Sequence, residues 1–97
     1  MSTVTERSIV VATKDQVSCD LNGETAILGL NKGIYYGLDA LGARVWSLLQ
    51  QPRPVAEIRD AVLQEYEVEP KRWESDLLSL LERLEAEELI EVRNGAG

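Results

Sequence analysis

The sequence predicts an α+β domain in which a three-stranded antiparallel sheet is followed by three helices. Residues 17–38 hold three short apolar–polar alternating runs joined by tight-turn signals. Residues 40–87 hold three longer segments with apolar residues at helical spacing, separated by breaks that contain proline. The chain has 97 residues, 44% of them apolar, which suits one domain with one modest core.

Residues 1–15 are polar and without a clear period, apart from Ile9-Val10-Val11-Ala12, and read as a flexible N-terminal arm. The domain proper is expected over residues 16–93, with 94–97 as a disordered tail. Val17-Ser18-Cys19-Asp20-Leu21 is the first strand. Asn22-Gly23 follows, a strong two-residue hairpin signal because both central positions of a type I′ turn need positive φ. Thr25 to Leu30 returns as the second strand. Asn31-Lys32-Gly33 is the next connection, with Gly33 suited to a left-handed bulge position, and Ile34 to Leu38 is the third strand.

Asp39 is a credible N-cap for a helix from about Ala40 to Gln50, whose apolar stripe is Leu41, Val45, Trp46, Leu48 and Leu49. Gln51-Pro52-Arg53-Pro54 ends it, since proline disfavours the helical conformation in the preceding residue. A second helix runs from about Val55 to Tyr66, with Val55, Ile58, Ala61 or Val62, and Leu63 turned inward. Pro70 fits the first turn of a third helix that reaches about Glu87. Leu89-Ile90-Glu91-Val92 either adds a short strand or packs without one.

The formal net charge of −7 argues against a phosphate backbone as partner. The chain has no histidine, which removes the commonest general base and a common metal ligand, and no Gly-rich phosphate loop or metal-ligand cluster is visible. No catalytic residue, cofactor or metal is therefore expected. Cys19 faces the same way as Val17 and Leu21 and reads as a small buried apolar residue rather than a nucleophile. A single cysteine excludes an internal disulfide framework and fits a reducing compartment. With no signal-peptide pattern and no apolar run long enough to span a membrane, a cytoplasmic protein without membrane contact is expected.

Two surfaces stand out. On the third helix Trp73, Leu77, Leu80 and Leu84 form one stripe, with Leu81 at its edge and Leu78 further round, while Arg72, Asp76 and Arg83 lie on the opposite shoulder. Core packing explains most of that stripe, but its width means that either the helix is central or its flank is left for a partner. The third strand is the edge of a sequential meander. Ile34, Tyr36 and Leu38 share one face and Tyr35 takes the other, and no lysine, proline or charge guards the strand. Either the N-terminal arm or the segment near Ile90 covers this edge, or it stays open to accept a peptide as an added strand.

These residues resemble the PqqD-like proteins, or RiPP recognition elements, small peptide-binding domains of ribosomal-peptide modification pathways. The matching features are Tyr35-Tyr36-Gly37-Leu38-Asp39, then Gly42-Ala43-Arg44-Val45-Trp46-Ser47-Leu48-Leu49, then Val55-Ala56-Glu57-Ile58. Asp76-Leu77-Leu78-Ser79-Leu80-Leu81, Leu84 and the closing Leu89-Ile90 complete the set, which covers residues 17–92. The family often has a glycine where this chain has Glu87-Glu88, which bears on where the third helix ends.

The resemblance implies a winged helix-turn-helix-like fold and no catalytic role. It implies that a precursor's leader peptide adds as a strand along Gly33, Ile34, Tyr35, Tyr36, Gly37 and Leu38 and lies against the third helix. There Leu77, Leu78 and Leu81 would help line an apolar pocket, with Leu80 and Leu84 of the same stripe, and Asp76 or Arg83 would make polar contacts at the rim. A stand-alone chain of this size is most similar to the discrete versions of lasso-peptide pathways, which serve a separate leader peptidase and read a Tyr-x-x-Pro stretch. The alternative within the family is the peptide chaperone of a radical SAM enzyme. A winged-helix DNA-binding protein is the third reading, but Glu69, Glu74, Asp76, Glu82, Glu85, Glu87 and Glu88 crowd the would-be recognition helix against Lys71, Arg72 and Arg83. The open strand edge could also serve weak self-association.

Overall fold

A computed structural model describes residues 4–93. The strands are β1 (Ile9–Ala12), β2 (Gln16–Leu21), β3 (Glu24–Gly29), β4 (Ile34–Leu38), β5 (Arg53–Pro54) and β6 (Ile90–Arg93). The helices are α1 (Ala40–Leu48), α2 (Val55–Glu65) and α3 (Pro70–Ala86). They form two three-stranded antiparallel sheets, ordered β2-β3-β4 and β5-β1-β6, around the three helices in a winged helix-turn-helix-like arrangement.

The meander follows its turn chemistry. Asn22 and Gly23 both have positive φ, 56° and 90°, as a type I′ turn requires, and Leu21 pairs with Glu24 across it. Gly33 has φ 66°, and its N–H donates to the Gly29 carbonyl at 2.8 Å, which closes the second connection. Register then sorts the faces. Ser18, Ile27 and Tyr36 form one row and Val17, Leu28 and Tyr35 the next. Ile27 and Leu38 are buried and Tyr36 packs half-buried on the core, so that face meets the helices; Tyr35, on the other face, is 68% exposed.

The helices begin where side chains can satisfy their free amides. Asp39 Oδ1 accepts from Gly42 N–H at 2.9 Å at α1. Gly42 also lets α1 leave β4 closely, because a Cβ there would stand 3.2 Å from Leu38. At α3, Glu69 accepts from Arg72 N–H at 2.6 Å and Pro70 occupies the first turn. The buried stripes are Val45, Trp46 and Leu49; Val55, Ile58 and Val62 rather than Ala61; and Trp73, Leu77, Leu80, Leu81 and Leu84. The third helix stops at Ala86, and Glu88 takes the left-handed conformation, φ 60°, that glycine usually supplies after a helix.

Two expectations are corrected. Residues 4–12 are not a flexible arm. Val10 is fully buried, and β1 is the central strand of the second sheet, paired with β5 on one side and β6 on the other. The physical cause is a helix without a side-chain cap: α2 follows Pro54, and its first amides, Val55 N–H and Ala56 N–H, donate instead to the carbonyls of Ser8 and Glu6. Second, Cys19 is exposed, not buried. It does share a face with Val17 and Leu21, but that face is turned to solvent, with Val17 58% and Leu21 50% exposed. The helix-facing positions of β2 are Gln16, Ser18 and Asp20, because they align with the buried face of β3. Residues 1–3 of the expected arm, and the expected tail at 94–97, lie outside the described residues.

Candidate functional site

Among the described residues the outer edge of β4 is open rather than covered. The N-terminal segment and the segment after Leu89 pair with each other, and β4 has no strand on its outer side among the described residues. Backbone alternation decides what this edge offers. Leu30 N–H donates to the Asp15 carbonyl at 2.9 Å, so the even-numbered residues of β3 bond to β2 and Thr25, Ile27 and Gly29 bond to β4. Ile34, Tyr36 and Leu38 therefore spend their backbone groups on β3. Tyr35 and Gly37 turn theirs to the open side.

Beside that edge lies a cleft of about 420 Å³ between β4, the start of α1 and one face of α3. Tyr36, Gly37 and Leu38 form one wall, Asp39, Leu41 and Gly42 the end, and Trp73, Asp76, Leu80 and Arg83 the other wall. A second hollow of about 360 Å³ continues it past Leu41, Trp73 and Asp76 toward Val68, Glu69 and Arg72. The helix runs opposite to the strand. At one end Lys32, just before β4, donates to the Ala86 carbonyl at 2.9 Å; at the other, Leu38 and Leu41 share the cleft with Trp73.

Trp73 is fixed by its indole N–H, which donates to the Arg59 carbonyl at 3.3 Å, and presents the apolar end of the wall. Asp76 and Arg83 are exposed, and among the described residues neither side chain has an ion-pair partner. Seven residues of helix set them about 10 Å apart. The cleft thus offers edge amides and carbonyls, an apolar floor and two opposite charges, a combination suited to holding an extended peptide.

The structure brings together Tyr36, Gly37, Leu38, Asp76, Leu80 and Arg83 of the expected site. Ile34 and Tyr35 lie along the same strand and Gly33 in the turn before it, all outside the cleft wall. Leu77, Leu81 and Leu84 are fully buried and give no surface to the cleft, which corrects their placement as its lining. Leu78 packs half-buried on another flank of the core and is not part of it either. The helix is rotated so that Trp73, Asp76, Leu80 and Arg83, at spacings of three and four, form the facing stripe. Trp73, Asp39, Leu41 and Gly42 were not foreseen as site residues. The three-and-four spacing from Trp73 to Arg83 is the signal that points to Trp73.

Together, fold and cleft define a class: small α+β domains of winged-helix type that keep one strand edge open beside an amphipathic helix. The family model described as Coenzyme PQQ synthesis protein D (PqqD) matches residues 24–90, and the chain belongs to this PqqD-like family, the RiPP recognition elements. Among solved structures it is similar to "TbiB1 in Complex with the TbiA(beta) Leader Peptide". The two share 38% sequence identity at a TM-score of 0.77, over 90% of this chain and 98% of that one. No curated protein matches the chain.

Proposed function

We propose that this protein is a non-catalytic, cytoplasmic adaptor that captures the leader of a ribosomal precursor peptide and presents it to a separate leader peptidase in lasso-peptide maturation. The observation that carries the reading is the open β4 edge, with the backbone groups of Tyr35 and Gly37 unspent beside a cleft walled by α3. The similarity to TbiB1, whose structure contains a leader peptide, supports the same partner class. In this reading the leader pairs with β4 as a fourth strand. Its inward side chains enter the cleft over Leu80 and Trp73, while Asp76 and Arg83 meet polar or charged groups of the leader at the rim.

The test is a titration of labelled leader peptides from precursor genes neighbouring this one, with the TbiA(beta) leader as comparison. Micromolar or tighter binding is expected. Gly37→Pro removes an outward donor without touching the bonds to β3, and it is expected to weaken binding about tenfold, the value of one hydrogen bond at about 1.4 kcal/mol. No binding by any neighbouring leader, or full binding by a folded Gly37→Pro protein, overturns the proposal.

A further inference from the structure

Among the described residues the meander has a second free edge, β2, on the side away from the cleft. Five of its six residues are exposed, and it carries one charge, Asp20, with no lysine or proline to blunt pairing. Val17, Cys19 and Asp15 stand on the bonded side of the alternation, so the backbone groups of Gln16, Ser18 and Asp20 point outward. We propose that β2 is the docking edge for a second copy of this chain, joined antiparallel about a two-fold axis at Cys19.

The strand is complementary to itself in that register. Ser18 of one copy stands opposite Asp20 of the other and exchanges backbone hydrogen bonds with it, and on the helix side the Ser18 hydroxyl can donate to that carboxylate. On the outer face Val17 meets Leu21 of the second copy, so two half-exposed apolar side chains cover each other on either side of the axis. Exposed Lys14, before the strand, is carried toward the hairpin tip of the other copy, where Glu24 is exposed. Cys19 faces Cys19 as a non-hydrogen-bonded pair, the closer of the two antiparallel spacings. A cleft of about 520 Å³ between β2 and α1, bordered by Ser18, Asp20, Ala43 and Trp46, leaves room on the helix side of the joint. The result is a six-stranded sheet with both β4 edges free at its outer ends. A closed two-fold joint of this kind also keeps one edge of each copy from polymerising. A joint of six residues per copy falls short of the about 20–30 residues a side of a stable interface, so the dimer is reversible.

Sedimentation equilibrium of the reduced protein from micromolar to millimolar concentration tests this without any peptide, and therefore separately from the leader reading. A concentration-dependent doubling of the 10.8 kDa mass is expected. Cys19→Lys, at an exposed position, sets two ammonium groups face to face on the axis and is expected to stay monomeric; Ser18→Pro, which removes an outward donor, is expected to do the same. Diamide, which takes up the two thiol hydrogens, is expected to link wild-type chains through Cys19 at least tenfold faster than it links a Cys19→Ser/Leu28→Cys variant, whose thiol is exposed but off the axis. A constant monomer mass overturns the proposal. So does a dimer that survives in Cys19→Lys but is lost in Gly37→Pro, which would put the joint at β4.

Discussion

At the scale of single residues, the adjacent tyrosines Tyr35 and Tyr36 divide the work of the β4 edge. Tyr36 packs on the core and walls the cleft, while Tyr35 stands on the outer face and offers its backbone to the open side. Arg83 and Leu78 of α3 divide in a similar way. Arg83→Ala is expected to weaken leader binding about threefold to tenfold with the melting temperature unchanged, since its side chain borders the cleft without an ion-pair partner among the described residues. Leu78→Ala is expected to leave affinity unchanged and lower stability instead. Isothermal titration of both variants, paired with thermal melts, separates the two faces of α3. Glu88 is a third informative position. A non-glycine residue at φ 60° costs about 1–2 kcal/mol, offset in a Glu88→Gly variant by the greater freedom of glycine in the unfolded chain, about 0.4–1 kcal/mol. The Lys32–Glu88 ion pair lost with it is exposed and long at 3.7 Å, and is worth little. Glu88→Gly is therefore expected to raise Tm by a few degrees in a calorimetric scan.

Between elements, a pH-dependent contact joins α1 to α2. Arg44 Nε and its terminal nitrogen donate to the two carboxylate oxygens of Glu65 at 2.8 and 2.7 Å. Hydrogen bonding to that guanidinium, with the charge attraction behind it, holds the Glu65 carboxyl below the ordinary carboxylate range, and the same bond raises Arg44. A carboxyl depressed in the folded state contributes stability that is complete above its unfolded pKa and is lost as pH falls through the folded value. The pair therefore supports the helix packing at neutral pH and ceases to do so on acidification below about pH 4. Denaturant midpoints of wild type and Glu65→Gln, compared between neutral and acidic pH, are expected to converge at the acidic end. A gap that stays constant would show that the pair adds nothing to the pH dependence. Both partners are partly exposed, so the gap at neutral pH is small.

For the whole molecule, the N-terminal segment ties the helices together, and its removal is expected to perturb the fold more than any of the point substitutions. A chain starting at Thr13 loses the central strand of the β5-β1-β6 sheet, the fully buried Val10 and the carbonyls that receive the first amides of α2. It is expected to give no cooperative thermal transition, whereas a flexible arm could be removed at no cost. The meander, its two turns, the cap at Asp39, the first-turn proline Pro70 and the three helices were legible because each rests on neighbours in sequence: alternation, glycine and asparagine at positive φ, proline at breaks. The family resemblance was legible for the same reason, as an ordered set of local motifs, and with it the β4–α3 surface. Three features were not. Strand β1 has only four residues, too few for a period to speak, and its partners lie at Arg53–Pro54 and Ile90–Arg93. The solvent face of β2 carries the apolar residues Val17 and Leu21, against the usual polarity rule, because its alternate positions align with the buried face of β3. The rotation of α3 put Leu77, Leu81 and Leu84 in the core and left Asp76, Leu80 and Arg83 on the cleft, since an apolar stripe this wide fits more than one orientation until its neighbours are in place. The sequence by itself determined the meander, the three helices, their order and the family. Tertiary structure decided which edge is open, which side of each element is wet and which residues meet in the cleft, because those are settled by contacts between segments far apart in the chain.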